Sequence, residues 1–504
     1  MPEKIVRAAM MREIEKAMIE EYATPALLLM ENAAFGVTKA LDGEGFANGR
    51  VLIVCGTGNN GGDGLAVLRQ RLAKGAKADA VLLGDPAALR GDAGAQWDML
   101  PKVQADIPCV TNTEELQACA ALFDRADCIV DAIFGIGLSR PVEGLHRAAI
   151  EMINASAKPV IAVDVPSGVE SDTGGVSGVA VRANTTVTFQ YPKPGHFLFP
   201  GKSHTGKLIV HPIGLVPSQL HHAQALERLL NGDIAGLLPQ RPVDAHKGSF
   251  GRVGIVAGSM GMAGAGLMSA SAALRAGAGL VTLCSVQELA PVCQTALPEA
   301  MFLPLLSFFD VREFTAFIET CSAVVIGPGL GRAPHVYQAV ESVLQTEGLR
   351  AVADADALNA MAEAGRVPPV RARAVFTPHV GEMARLCGKS AAEILQDPVA
   401  CALDAAREWN AVVALKSAAT VIAHPGGRAS INTTGTPAMA KGGTGDVLAG
   451  LIAALMAQGL ERYDAAVLGC HLLGLAGMRA EETLGGYGVL ASDLADALSL
   501  IMRR

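Results

Sequence analysis

VLIVCGTGNNGGDGLAVLRQRLAKG, residues 51–75, decides how the first half of the chain folds. Five apolar residues in a row, 51–55, have the pattern of a strand buried on both faces of a parallel sheet. A glycine-rich turn follows, and the apolar spacing after it predicts a helix over 64–74. Gly56, Gly58 and Gly61 match GxGxxG, and Asp85 follows the next strand at the place of a ribose-binding acid, so the stretch also fits an ordinary dinucleotide-binding dehydrogenase. The fuller string Asn59-Asn60-Gly61-Gly62-Asp63-Gly64 is less usual: two amides and a carboxylate bring oxygen ligands beside phosphate-facing N–H groups.

Working outward, short β-branched runs alternate with helical patterns along the whole chain, which predicts α/β architecture. Strands are expected at 50–55, 78–83, 128–134, 159–165, 185–190 and 208–211. A second set is expected at 253–257, 280–284, 323–326, 351–354, 375–377 and 412–415. Residues 215–240, with Pro217 and Pro239, interrupt that rhythm and predict a boundary between two domains, 1–220 and 235–504. A chain of 504 residues exceeds one ordinary core.

With 50% hydrophobic residues, 18% charged and 56 glycines, the composition excludes disorder and suits buried sheet with many tight turns. A formal charge of −8 without a basic run argues against nucleic acid and for a small-molecule ligand. The ten cysteines form no CxxC pair and read as reduced core thiols. Glu3, Glu13 and Glu15 rule out a signal peptide at the N-terminus, and the apolar run 447–457 is too short to span a bilayer. A cytoplasmic protein without membrane partners is expected.

Two more polar turns follow strands in the first half: Asp131 to Arg140, and Asp164-Val165-Pro166-Ser167-Gly168. Turns after parallel strands share the carboxyl edge, so all three can converge on one ligand. The alternative for Asp131 or Asp164 singly is a helix cap. With Met30-Glu31-Asn32-Ala33-Ala34 and Lys193-Pro194-Gly195, these motifs resemble, in order, the NAD(P)H-hydrate epimerase family over about the first 215 residues. The resemblance implies a Rossmann-like three-layer αβα domain that interconverts the epimers of NAD(P)H hydrated at C6 of the nicotinamide. It implies substrate contacts at Asn59, Asn60, Gly61, Gly62, Asp63, Gly135, Ile136, Gly137, Leu138, Ser139, Arg140, Pro141 and Asp164. Asp164 would shuttle the proton, and Asn60, Asp131 and Ser167 would hold potassium. Ile136 stands where the family often has threonine.

The second half carries His246-Lys247-Gly248, Gly327-Pro328-Gly329-Leu330-Gly331, Asp354-Ala355-Asp356-Ala357-Leu358-Asn359, Thr377-Pro378-His379-Val380-Gly381-Glu382 and Gly442-Gly443-Thr444-Gly445-Asp446. Glycine-rich turns that open helices offer N–H groups to phosphate, and an aspartate there can deprotonate a hydroxyl beside a held phosphoryl group. Taken singly, Asp446 reads as a cap of its turn, and His379 as a packed or capping histidine. The ordered set resembles the ribokinase-like α/β fold and, within it, the ADP-dependent (S)-NAD(P)H-hydrate dehydratase family. That resemblance implies hydrated cofactor at Ala265, Gly329, His379 and Asp446, with Asp446 as base. ADP would lie at Lys416, Ser417, Ala418, Ala419, Thr420 and Gly445, with magnesium. The family usually has glycine after the lysine, so Ser417 to Ala419 would be costly if the loop needed positive φ.

Other readings stay open on the residues alone. One is a phosphotransferase acting on a vitamin-like alcohol; another makes the first half a binding module; a simple dehydrogenase rests on the fingerprint only. The substrates expected are NADHX or NADPHX and ADP, and the family resemblance implies a homo-oligomer.

Overall fold

The computed structural model describes residues 2–103, 106–138, 140–216, 226–305 and 311–503. It divides into two compact units, Lys4–Ala225 and Met1–Glu3 with Leu226–Arg504. Of the expected boundary, residues 217–225, with Pro217, lie outside the described residues. The strand Leu226–Arg228 pairs with Ala429–Ile431, so residues 226–234, left between the domains by the sequence, belong to the second unit.

In the first unit seven strands form one parallel sheet in the order Cys109–Val110, Ala78–Leu83, Val51–Cys55, Cys128–Ala132, Val160–Val163, Thr185–Phe189, Lys207–His211. Val51–Cys55 is buried throughout, as its unbroken apolar run requires. Val51, Ile53 and Cys55 pack against the helices Ala8–Glu20, Ala26–Gly43 and Asn59–Ala73; Leu52 and Val54 pack against Leu116, Phe123 and Ile150 on the other face. The result is a three-layer αβα unit. The chain turns to opposite sides of Val51–Cys55 for its two neighbours, which opens a crevice at the carboxyl edge.

The helix over Asn59–Ala73 starts five residues before the expected 64. Gly58, extended at φ −94° and ψ −170°, is its N-cap, so NNGGDG forms the first helical turns and not a preceding loop. The glycines permit this early start. A Cβ on Gly61 would overlap the Gly56 carbonyl, and one on Gly56 would overlap that of Ile133. The first helical N–H groups therefore stand at the crevice with no partner in their own helix.

The second unit is built on the parallel run Met301–Leu305, Leu280–Val286, Arg252–Val256, Ala323–Ile326, Arg350–Ala353, Arg373–Phe376, Val412–Leu415, extended by antiparallel Val421–Ala423 and Ala429–Ile431. Short strands at 109–110, 226–228, 301–305, 421–423 and 429–431 escaped the sequence reading, because two to five residues carry too little periodicity. The apolar helix Thr444–Ala457 lies in the core across Ala263–Arg275, and a Cβ on Gly450 would overlap the Ser269 carbonyl. Gly450→Ala is expected to destabilise this unit by about 1–3 kcal/mol, read as a lowered urea midpoint, because the overlap is with backbone. Among the described residues no helix is long and apolar enough to cross a membrane.

Candidate active sites

In the first unit the three expected turns do meet. Asp164 ends Val160–Val163 in the left-handed region at φ 63°. Its Oδ1 accepts from Lys193 Nζ at 2.6 Å and from Thr188 Oγ1 at 3.0 Å. Its Oδ2 faces Gly135: a Cβ there would stand 3.3 Å from Oδ2 and 3.0 Å from Asn60 Oδ1. His196 Nδ1 accepts from the Lys193 N–H at 3.0 Å, which leaves Nε2 to donate to the Asp164 carbonyl at 2.9 Å. Burial pushes the Asp164 carboxyl up, but the Lys193 ammonium and its hydrogen bond outweigh this and hold it below its ordinary range. Burial and the Lys193 charge push His196 down to about 3, so its ring is neutral.

Asp131 and Asp164 cap no helix; the next one, Gly144–Ala155, has Glu143 at its N-cap. Asp131 instead accepts from Ser167 Oγ at 2.6 Å, Ser167 N at 2.8 Å and Ile133 N at 3.3 Å. Burial raises it to about 6 against these bonds from neutral donors. Asn60 is buried and its Nδ2 has no hydrogen-bond partner. Asp63 is raised well above its ordinary value by burial and by Asp164 and Glu15.

Asn59 is exposed at the helix start, while Gly61 and Gly62 are buried behind it. Ile136, Gly137 and Leu138 line the turn beyond Gly135; Arg140 and Pro141 are exposed, and Ser139 lies outside the described residues. Asp85 caps the turn Pro86–Ala88, its Oδ1 accepting from Ala87 N at 2.8 Å. The MENAA segment is structural. Glu31 pairs with Arg69 and accepts from Gln70 at 3.0 Å and Gln96 at 2.7 Å, and Asn32 Nδ2 donates to the Ile213 carbonyl at 2.9 Å. In the sequence Lys193 stands only within a motif, and nothing there joins it to Asp164 across 29 positions. Lys193→Met is expected to cost about 3–5 kcal/mol, read by urea unfolding, because it strands a buried carboxylate.

In the second unit Lys416 Nζ donates to Asp354 Oδ1 at 2.5 Å. A Cβ on Gly445 would stand 3.3 Å from Lys416 Nζ and 3.4 Å from Asp354 Oδ2, so three motifs meet here. Burial works against the Lys416 charge, but Asp354, Glu382 and Asp446 overcome it and keep the lysine above its ordinary value. Asp446 is the third residue of Thr444–Ala457, behind N-cap Gly443, and does not cap the turn. Among the described residues its carboxylate has no hydrogen bond. Burial and Asp354 push it up to about 7, with Lys416 opposing; burial likewise takes Glu382 to about 7.

His379 is a cap after all: Nδ1 accepts from Gly381 N at 3.0 Å and Glu382 N at 3.3 Å, and Nε2 stands 3.4 Å from Glu382 Oε1. Gly329 and Ala265 are adjacent, with 3.0 Å between a Cβ on the glycine and that of Ala265. Ser259 Oγ donates to the Gly329 carbonyl at 2.9 Å, and Ser269 Oγ to that of Asp446 at 2.9 Å. The concern over Ser417, Ala418 and Ala419 is answered, since no residue from Lys416 to Thr420 has positive φ. Ser417 Oγ closes the loop on the Ala419 carbonyl at 2.8 Å, with Ser417 and Ala418 exposed. In the sequence Asp354, Asp356 and Glu382 stand within motifs with no role of their own; Asp356 Oδ2 accepts from Gly331 N at 2.8 Å.

The family described as YjeF-related protein N-terminus matches residues 26–195, and that described as NAD(P)H-hydrate dehydratase matches 253–500. A bifunctional NAD(P)H-hydrate repair enzyme of Moorella thermoacetica is 41% identical, covering 99% of this chain and 96% of that one. Its counterpart in Escherichia coli K12 is 36% identical over 90% of this chain and 84% of its own. Among solved structures, an ADP/ATP-dependent NAD(P)H-hydrate dehydratase of Bacillus subtilis, co-crystallised with ATP/Mg2+, is 31% identical. It aligns at a TM-score of 0.50, covering 54% of this chain and 96% of that one.

Proposed function

The chain belongs to the bifunctional NAD(P)H-hydrate repair enzymes, with an epimerase unit and an ADP-dependent dehydratase unit, and we propose how its own residues divide that work. The observation that carries the proposal is a pair of aspartates in opposite electrostatic settings. Asp164 is held ionised by Lys193, and Asp446 is poised near neutrality with its carboxylate open.

In the first unit the substrate is a nicotinamide ring whose C6 bears a hydroxyl beside the ring nitrogen. Asp164 Oδ1 is occupied by Lys193 and Thr188, so Oδ2, facing Gly135, is the atom that handles the proton. The helix start at Asn59 to Gly61 presents N–H groups to the pyrophosphate of the substrate. Potassium fits Asp131, Ser167 and Asn60: Asp131 is a buried carboxyl answered by neutral donors only, Ser167 Oγ lies against it, and the Asn60 side-chain oxygen faces the same turn at Gly135. Bound there, the ion would supply positive charge beside the substrate.

In the second unit Asp446 takes the proton from the C6 hydroxyl of the S epimer as that oxygen accepts a phosphoryl group from ADP. The C6–O bond then breaks with the electron pair of the ring nitrogen behind it. Loss of the C5 proton restores the double bond, and AMP and phosphate remain. Lys416 and the N–H groups opening Thr444–Ala457 face the transferred group. Among the described residues no cluster of three or more His, Cys, Asp or Glu forms a metal cage. That fits a magnesium ion carried in on the nucleotide phosphates, and the ATP/Mg2+ of the Bacillus subtilis structure supports the same view. The resemblance behind this reading also implies a homo-oligomer.

The test is absorbance in the reduced-nicotinamide band after mixing the protein with both epimers of hydrated NADH, magnesium and ADP. Complete, ADP-dependent recovery is expected. Recovery that stops at the S fraction would refute the epimerase assignment, and no recovery with ADP or ATP would refute the dehydratase.

A further inference from the structure

The N-terminal helix Ala8–Glu20 has no part in the roles given so far, yet its leading end is hydrogen-bonded at three points, two of them beside the epimerase site. Just before it, Val6 N donates to the Pro192 carbonyl at 2.9 Å, beside Lys193. At its first residue, Ala8 N donates to Asp172 Oδ1 at 2.7 Å. One turn on, Arg12 Nη2 donates to the Ile136 carbonyl at 3.1 Å, on the turn that carries Gly135. The face holding Met11, Ile14 and Met18 is buried in the core. Arg12 and Glu15 stand three residues apart, so they share a second face, the one that Arg12 ties to the site.

Glu15 is the next group along that face. It is half-buried, while Glu13, Glu20 and Glu21 on the same segment are exposed. The charges around it are Lys193 and Asp164, with Arg12 on its own helix; across the site Asp63 feels Glu15 in turn. Burial pushes the Glu15 carboxyl up and Asp164 adds to this, against Lys193 and Arg12. The two carboxyls are thus shifted in opposite directions beside one site, Glu15 upward and Asp164 downward, an arrangement that separates an acid from a base.

We propose that Glu15 is the proton donor that partners Asp164 in inversion at C6. The proposal rests on the epimerase reading of the first unit. The ring nitrogen pushes its electron pair toward C6, the C6–O bond breaks, and the leaving hydroxyl takes the Glu15 proton to become water. Water then adds to the opposite face of C6, a new C6–O bond forms, and the proton it sheds goes to Asp164. The ring nitrogen recovers its electron pair, so no oxidant or reductant is needed. A proton returning from Asp164 to Glu15 through solvent resets the site, and in the reverse direction the two carboxyls exchange roles.

The experiment is steady-state epimerisation of the purified R epimer by the full chain, its conversion followed by chromatography without nucleotide. Glu15→Gln is expected to lower kcat by about a hundredfold or more with KM little changed. Glu15→Asp should restore part of that loss. The wild-type rate should fall on the alkaline side as Glu15 ionises, and the glutamine variant should lack that limb. A thermal melt of the variant matching wild type separates the effect from unfolding. A Glu15→Gln variant within about threefold of the wild-type kcat, changed only in KM, or retaining the alkaline limb overturns the proposal. Failure of the wild-type chain to convert the R epimer overturns the epimerase reading itself.

Discussion

Asp446→Asn is expected to lower the dehydration kcat by about 10²–10⁴-fold, with KM and epimerisation by the first unit nearly unchanged. The amide keeps the shape of the side chain and cannot accept the C6 hydroxyl proton. The pH profile makes the same point. With Asp446 pushed up to about 7, wild-type kcat/KM for dehydration should fall as pH drops through that value and the base protonates. Glu382 titrates in the same range and faces the same Lys416 and Asp354, so the limb belongs to a coupled pair. Stability runs the other way. A carboxyl whose folded pKa lies above its ordinary 3.8 favours folding below that ordinary value, and the contribution is lost as pH rises through about 7. The asparagine variant should therefore melt above wild type at pH 8 and level with it below pH 4. Retained dehydration in this variant would remove Asp446 from the chemistry.

Asp164→Asn should divide the two activities in the opposite sense. Given a mixture of epimers and excess ADP, this variant is expected to restore the S fraction at the wild-type rate and then stall. Its epimerisation kcat should be down by about 10²–10⁴-fold. Asparagine can still accept from Lys193 and Thr188, so the pocket keeps its shape while Oδ2 loses its proton affinity. Continued slow recovery beyond the S fraction, at the rate of spontaneous epimerisation, is compatible with this role. Recovery at the wild-type rate is not.

The glycine strings and the aspartates in them were legible in the sequence because their chemistry is local. Gly56 and Gly61 are dictated by backbone contacts within one turn and its neighbouring strand, and the unbroken apolar run before them announces a buried parallel strand. Partnerships across the fold were not legible. Lys193 reaches Asp164 only because Thr185–Phe189 lies beside Val160–Val163, and Lys416 reaches Asp354 across 62 positions for the same kind of reason. His379 shows the converse: its capping role is set by the next three residues, so the plainer reading of that histidine was available from the start. In the sequence Glu15 reads only as one of several acidic charges near the N-terminus. An acid on an amphipathic helix looks like any solvated residue until the helix is seen docked on a catalytic edge.

The left-handed backbone at Asp164 has a consequence for how the first unit works. For an aspartate that conformation costs about 1 kcal/mol, and it persists because Lys193, Thr188 and His196 fix both the carboxylate and the carbonyl. The base is thus aimed before any ligand arrives. The ordering that catalysis would otherwise demand at every turnover is met once, when the chain folds, so the rate of inversion is insulated from the thermal wandering of the surrounding loops.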